Sequence, residues 1–115
     1  MKVFLIGAGT MGTGIAQVLM SSSVVDQVYV MSRSREKAKS LIQRCIVKLE
    51  RLVQKEKMSS EGLKVAVDKV TVVDDYHEVS NCSLVIEAVA EDYEIKKMVL
   101  GGYLQTYLRK NHHSF

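Results

Sequence analysis

Three glycines near the start of the chain have the spacing of a phosphate-binding loop. Gly7, Gly9 and Gly12 directly follow the short apolar run Val3-Phe4-Leu5-Ile6. In such a loop the first glycine permits a tight turn, the second admits a phosphate, and the third lets the next helix pack closely. The N–H groups at the start of that helix attract a pyrophosphate.

We therefore predict that the loop binds the pyrophosphate of a dinucleotide. Its residues are Gly7, Ala8, Gly9, Thr10, Met11 and Gly12. The alternative is a tight turn between a strand and a helix that binds no ligand.

The end of the second predicted strand bears on which dinucleotide is bound. An acidic residue there, about 20 positions after the glycines, accepts hydrogen bonds from the ribose and repels a 2′-phosphate. Here that position is Ser32, and Arg33 and Arg35 follow it. Two guanidinium groups can make charge-assisted contacts to a phosphate, so the sequence favours NADP over NAD. The alternative is that both arginines are solvated and NAD binds through Ser32.

Strand and helix patterns alternate along the chain. Apolar runs predict strands at 2–6, 27–31, 70–73 and 84–89. Helical periodicity predicts helices at about 10–20, 34–57 and 60–68, a short one at 76–80, and another from Glu91 onward. This order predicts an α/β fold, a Rossmann-type doubly wound parallel sheet, incomplete, with about four strands.

In such a sheet the first and fourth strands are neighbours, and ligands bind between their carboxyl ends. We therefore expect the glycine loop and the Ala90-Glu91 end of the fourth strand to face each other across one crevice. The long helix is expected to begin at the N-cap Ser34 and to carry a buried apolar stripe, with a basic opposite face.

Composition and charge narrow the class of protein. With 115 residues, 47% hydrophobic and 25% charged, the chain is expected to be one globular domain. A net charge of +3 is too mild to predict nucleic-acid binding. No signal peptide or membrane-length apolar run is visible, and Cys45 and Cys82 are expected to be free buried thiols rather than a disulfide or metal site. We expect a cytoplasmic protein with no membrane partner.

Several segments together resemble the N-terminal domain of the 3-hydroxyacyl-CoA dehydrogenases, including the bacterial 3-hydroxybutyryl-CoA dehydrogenases. They are Ile6-Gly7-Ala8-Gly9-Thr10-Met11-Gly12, Gly14-Ile15-Ala16-Gln17, the long basic helix, and Leu84-Val85-Ile86-Glu87-Ala88-Val89-Ala90-Glu91-Asp92. The resemblance implies an oxidoreductase of fatty acid metabolism. It would transfer hydride between NAD(P) and a 3-hydroxyacyl-CoA/3-ketoacyl-CoA pair.

The resemblance also implies roles for further residues. Glu91 and Lys96 match the glutamate and lysine that line the nicotinamide-ribose side, with Ala90 beside them. In the long helix Lys55 matches a lysine that contacts CoA, and Lys48 replaces a serine with the same role. The alternative is that these side chains are solvated surface residues.

Two departures from the family pattern matter. Ser32 stands where the family has an aspartate, which puts the usual preference for NAD in doubt. The family's catalytic histidine and its partners match nothing in this chain, so residues 1–115 are expected to be the dinucleotide-binding part of a larger enzyme, inactive alone. We assign no catalytic residue and no metal ligand, and His77, His112 and His113 receive no role.

Other functions fit part of the pattern. A β-hydroxyacid or 6-phosphogluconate type of dehydrogenase shares the glycine loop, and a non-catalytic dinucleotide-binding module would need nothing more. The expected partners are an acyl-CoA substrate and further copies of the chain in a homo-oligomer.

Overall fold

The computed structural model describes residues 1–7, 10–89, 92–99 and 102–103. Its strands are β1 (Lys2–Ile6), β2 (Gln27–Met31), β3 (Val70–Val72), β4 (Leu84–Val89), β5 (Asp92–Val99) and β6 (Gly102–Tyr103). Its helices are α1 (Thr10–Ser21), α2 (Arg35–Gln54) and α3 (Ser60–Asp68), with a 3-10 helix at His77–Asn81. Within these ranges no helix is long and apolar enough to cross a membrane.

The sheet confirms the predicted winding. Its strand order is β3-β2-β1-β4-β5-β6, and β3, β2, β1 and β4 are parallel. Leu5 in the centre of β1 lies opposite Val30 on one side and Ile86 on the other. The chain therefore reverses its direction of winding between β1 and β4, where α/β sheets bind ligands.

The segment after β4 corrects one expectation. We predicted a helix from Glu91 onward, but Asp92–Val99 is a strand that pairs antiparallel with β4, with Val89 opposite Asp92. The sequence Tyr93-Glu94-Ile95-Lys96 alternates apolar and charged residues, which is a strand pattern. Pairing also satisfies the backbone groups of β4, which would otherwise form an open edge.

One face of the sheet is covered by the three helices. Its core is formed by alternate strand residues such as Leu5, Val30 and Ile86 together with the apolar sides of the helices. The predicted stripe of α2 is confirmed: Ala38, Leu41, Cys45 and Leu49 are all buried.

Both ends of α2 are capped by local hydrogen bonds. The Ser34 hydroxyl accepts from the Lys37 N–H at 3.2 Å, as the predicted N-cap should. At the other end the helix stops at Gln54, three residues before the expected Lys57. Glu56 adopts a left-handed φ of 59°, and the Lys57 N–H bonds to the Leu52 carbonyl at 2.8 Å, which closes a Schellman motif.

The opposite face of the sheet has a smaller core. Phe4, Cys82 and Val85 are buried there. The ring of Phe4 lies 6.0 Å from that of Tyr76 and 6.3 Å from that of Tyr29. Both cysteines are free and buried, as predicted.

Gly7 occupies a space with no room for a side chain. Its φ of +112° is unfavourable for any other residue. Its N–H donates to the Met31 carbonyl of β2 at 2.8 Å. A Cβ at this position would lie 1.9 Å from the Ala88 carbonyl oxygen of β4. Gly7 therefore lets β1 turn sharply while wedged between its two neighbouring strands.

Gly12 performs the packing role that was predicted for the third glycine. A Cβ there would lie 3.0 Å from the Gly7 carbonyl oxygen and 3.2 Å from a methyl carbon of Leu41 in α2. The absence of a side chain brings α1 close to the end of β1 and to α2 at once. Gly14, by contrast, has nothing within 4 Å of its Cβ position.

We predict opposite effects for alanine at Gly7 and Gly14. Gly7→Ala forces both a steric overlap and an unfavourable φ, so it should cost about 3 kcal/mol or more in the free energy of unfolding. Gly14→Ala meets open space inside a helix and should stabilise by roughly 0.5–1 kcal/mol. Urea unfolding of the three proteins measures both changes. Equal unfolding midpoints for Gly7→Ala and the unmodified chain would show that a side chain fits between Gly7 and the Ala88 carbonyl, contrary to this prediction.

We also predict that Cys82 reacts slowly with alkylating reagents. Burial, reinforced by the nearby Glu78 carboxylate, raises the pKa of its thiol to about 11 from the ordinary 9.0. In a Cys45→Ala variant, iodoacetamide labelling should stay slow at pH 8 and accelerate only towards pH 11, while the chain in guanidinium labels readily. Because the unfolded thiol loses its proton first, the stabilising contribution of the neutral thiol is complete below pH 9 and is lost towards pH 11. Labelling at equal rates in the folded and unfolded chain would refute the predicted slow reaction of Cys82.

Candidate functional site

The candidate site lies at the carboxyl edge of the parallel strands. Gly7 follows β1, Ser32 follows β2, and Ala88 is the second-last residue of β4. The Gly7–Met31 hydrogen bond joins the first two ends, and the close approach of Gly7 to the Ala88 carbonyl joins the first and third. The structure thus brings Gly7 together with the ends of β2 and β4, while Ala90 and Glu91, which were predicted to face the loop, lie outside the described residues.

The glycine loop runs directly into α1. Thr10 and Met11 are the first two residues of that helix, and Gly12 is buried within its first turn. Ala8 and Gly9 lie outside the described residues. The N-terminus of α1 therefore starts at the switch point of the sheet, where its unpaired N–H groups and partial positive charge favour an anion.

A contact that was not predicted anchors the start of α1. Thr13 is buried, and its hydroxyl oxygen accepts a hydrogen bond from Arg44 Nε at 3.3 Å. Arg44 also donates from Nη1 to the Ser40 hydroxyl at 3.0 Å, and the Cys45 thiol donates to the Thr13 carbonyl at 3.3 Å. Helix α2 therefore holds the first turns of α1 and places a guanidinium group beside them.

The buried setting of Cys45 affects its acidity but not its role. Burial raises the pKa of its thiol, although the charges of Lys48 and Arg44 oppose the shift. A protonated thiol bonded to a backbone carbonyl is a packing and anchoring group, not a nucleophile.

The residues after β2 differ in their surroundings. Ser32 is half-buried and Arg33 is exposed. Arg35 is exposed as well, but its Nη1 donates to Asp74 Oδ2 at 2.9 Å in an ion pair. Arg33 has no such pair within the described part of the chain. Of the two predicted phosphate ligands, therefore, one already holds a carboxylate.

Lys48 lies on one flank of α2, and Lys55 is the C-cap residue that follows the helix on the same flank. Both are exposed, and their spacing of seven residues places them on the same side of the helix, about 10 Å apart along its axis. Arg44, four residues before Lys48, lies on this flank and contacts α1. The structure thus places Arg44 against α1, with Lys48 further along α2 and Lys55 at its C-terminal end.

The predicted residues beyond β4 are only partly described. Ala90 and Glu91 lie outside the described residues. Lys96 lies in β5 with its Cα opposite Val85, near the start of β4 rather than its carboxyl end. The structure therefore does not bring the backbone of Lys96 to the edge where Gly7 and Ser32 meet.

His77 makes no described contact with the residues of the site. His77 is exposed in the 3-10 helix, and its N–H donates to Asp75 Oδ1 at 3.0 Å. His112 and His113 lie outside the described residues. In the part of the chain that is described, no three His, Cys, Asp or Glu side chains cluster in a way that could hold a metal ion.

The sequence alone could not locate every residue of this site. Arg44 and Thr13 are 31 positions apart, and Arg35 and Asp74 are 39 apart. The one available signal was the Asp74-Asp75 pair directly after the third strand, at the same sheet edge as Ser32.

Comparison with known proteins agrees with this geometry. Residues 2–111 match the family model described as "3-hydroxyacyl-CoA dehydrogenase, NAD binding domain". The chain is 35% identical over 95 residues to the 3-hydroxyadipyl-CoA dehydrogenase of Escherichia coli K12, covering 83% of this chain and 20% of that protein. It is 34% identical over 102 residues to a 3-hydroxybutyryl-CoA dehydrogenase of Mycobacterium tuberculosis, covering 85% and 34%.

The crystal structure of Mycobacterium tuberculosis FadB2 superposes with a TM-score of 0.70 at 34% identity, over 78% of this chain and 31% of that one. The chain thus spans between a fifth and about a third of the length of these relatives. The matches give no support to a 6-phosphogluconate type of enzyme. Since the family model covers nearly all of the sequence, the chain belongs to the 3-hydroxyacyl-CoA dehydrogenase family, as its domain that binds a nicotinamide dinucleotide.

Proposed function

We propose that this chain is the cofactor-binding part of an enzyme that transfers hydride between NAD(P) and a 3-hydroxyacyl-CoA/3-ketoacyl-CoA pair. The observation that carries the proposal is the wedge at Gly7, which places the start of α1 at the switch point between β1 and β4. A strand that turns sharply at a glycine and leads into a helix N-terminus at the switch point of the sheet fits a pyrophosphate. When bound, the nicotinamide ring supplies the chemistry of accepting or donating hydride.

Each part of the cofactor then has a proposed partner. The loop from Gly7 to Gly12 holds the pyrophosphate and Ser32 the adenosine ribose, while Ala90, Glu91 and Lys96 keep the nicotinamide-ribose role that the family resemblance implies. Arg33, exposed and unpaired with any described carboxylate, is the proposed ligand of a 2′-phosphate and supports NADP.

The basic flank of α2 supports binding of the CoA part of the substrate. Lys48 and Lys55 are exposed there, and no carboxylate within the described residues pairs with either. Two exposed ammonium groups on one flank of the helix suit the phosphates of a CoA ester.

Three broader features complete the proposal. A role in fatty acid metabolism is supported by a relative from Arabidopsis thaliana named a peroxisomal fatty acid beta-oxidation multifunctional protein. A cytoplasmic location is supported by the two free thiols, which are typical of reducing compartments. A homo-oligomer is consistent with the exposed Tyr76 on the less covered face of the sheet.

We predict that this chain binds NADPH more tightly than NADH, and that Arg33→Ala removes the difference. Loss of one exposed charge-assisted contact should weaken NADPH binding by up to about 1 kcal/mol, or roughly fivefold. Fluorescence titration with each nucleotide measures this, with Lys64→Ala on α3 as a control of equal charge. Tighter binding of NADH, unchanged in Arg33→Ala, would refute the NADP preference. Binding of neither nucleotide would refute the proposed function.

We also predict that the double variant Lys48→Ala/Lys55→Ala binds coenzyme A more weakly. At about 0.5–1 kcal/mol for each exposed contact, the loss is roughly five- to thirtyfold and should shrink as salt is added. The control is Lys39→Ala/Lys64→Ala, which removes the same charge at two exposed positions, one on the opposite side of α2 from Lys48 and one in α3. Isothermal titration calorimetry measures the affinity for coenzyme A. An equal loss of affinity in both double variants would show that net charge alone, and not the position of Lys48 and Lys55, determines binding.

A further inference from the structure

The ion pair between Arg35 and Asp74 joins two neighbouring strand ends at the candidate site. Arg35 is the first residue of α2, just after β2, and Asp74 lies just after β3. The Val73 N–H donates to the Val30 carbonyl at 3.0 Å, which fixes the exit of β3 beside β2. Asp74 therefore enters the site from the strand next to the one that ends at Ser32.

Asp74 supplies a carboxylate, which the end of β2 lacks. Dinucleotide-binding sheets that select against a 2′-phosphate carry a carboxylate after β2. Here Ser32 stands there, and the neighbouring strand β3 is followed by Asp74, whose carboxylate holds Arg35 at 2.9 Å. Asp74 thus places a negative charge beside Arg35 at this edge of the sheet and neutralises one of the two arginines.

We infer that Asp74 is a specificity-determining residue that limits recognition of a 2′-phosphate on the dinucleotide. It acts by holding the Arg35 guanidinium and by repelling the phosphate with its own charge. Arg33 is then left as the arginine available to that phosphate. The inference rests on the proposed function, since it presupposes that a dinucleotide occupies the loop at Gly7–Gly12.

The strength of the pair sets the size of the effect. The two side chains are 51% and 68% exposed, so solvent screens their attraction. Such a pair changes an equilibrium by no more than about fivefold, which a phosphate dianion can overcome. Removing the Asp74 charge also removes a like-charge repulsion of similar size. We expect the affinity ratio of NADPH to NADH to rise roughly five- to twentyfold when Asp74 is neutralised.

The test compares Asp74→Asn, Arg35→Ala and the double variant with the unmodified chain. The control Asp68→Asn makes the same charge change at the end of α3, at the opposite edge of the sheet, where β3 begins. Fluorescence titration with NADH and with NADPH gives the affinity ratio for each protein. Thermal unfolding verifies that each variant is folded, as expected for exposed side chains.

A rise in the ratio for Asp74→Asn, absent in Asp68→Asn and reduced by at least half in the Arg35→Ala background, supports the inference. An unchanged ratio in Asp74→Asn, with NADH still bound, overturns it and leaves the proposed function intact. A rise of equal size in Asp68→Asn overturns it as well, because net charge alone then explains the change. If the unmodified chain binds neither nucleotide, the proposed function fails and the inference fails with it.

Discussion

The contact between the ends of β1 and β4 is the constraint on which the rest of the structure depends. The Gly7 amide is bound to β2, and its Cα faces the Ala88 carbonyl so closely that no side chain fits. This fixes the direction in which the chain leaves β1 and hence where α1 begins. Gly12 then brings α1 against both the loop and α2. The close contact between Gly7 and the Ala88 carbonyl thus determines both the geometry of the anion site and the packing of α1 against α2.

The electrostatic character of the site follows from the same packing. Because α2 lies against the first turns of α1, Arg44 reaches Thr13, and Lys48 and Lys55 line the same side of the helix. Arg44 therefore adds its positive charge to the partial positive charge at the first turns of α1, although the net charge of the chain is only +3. A modest total charge, unevenly placed, is sufficient to attract an anionic ligand.

Local patterns in the sequence predicted much of this structure. The glycine spacing, the four parallel strands, the Ser34 cap and the buried stripe of α2 each depend on residues close together in the chain, so periodicity and capping chemistry reveal them. The early end of α2 depends on the left-handed Glu56, a position where glycine is the usual signal. Strand β5 was missed because the residues after Glu91 were interpreted as a helix, although Tyr93–Lys96 alternate apolar and charged residues. The Arg35–Asp74 pair joins distant segments, which local patterns do not report.

The wedge at Gly7 also has a consequence for synthesis of the chain. The ribosome produces Gly7 first and reaches Ala88 roughly 80 residues later. Synthesis proceeds at about 5–20 residues per second, so β4 is completed roughly 4–16 s after the loop that it packs against. During that time β1 can pair with β2 and receive its helices, but the crevice is open on one side. The anion site is therefore completed late, and the nascent chain holds a half-formed sheet whose central strand has an exposed edge.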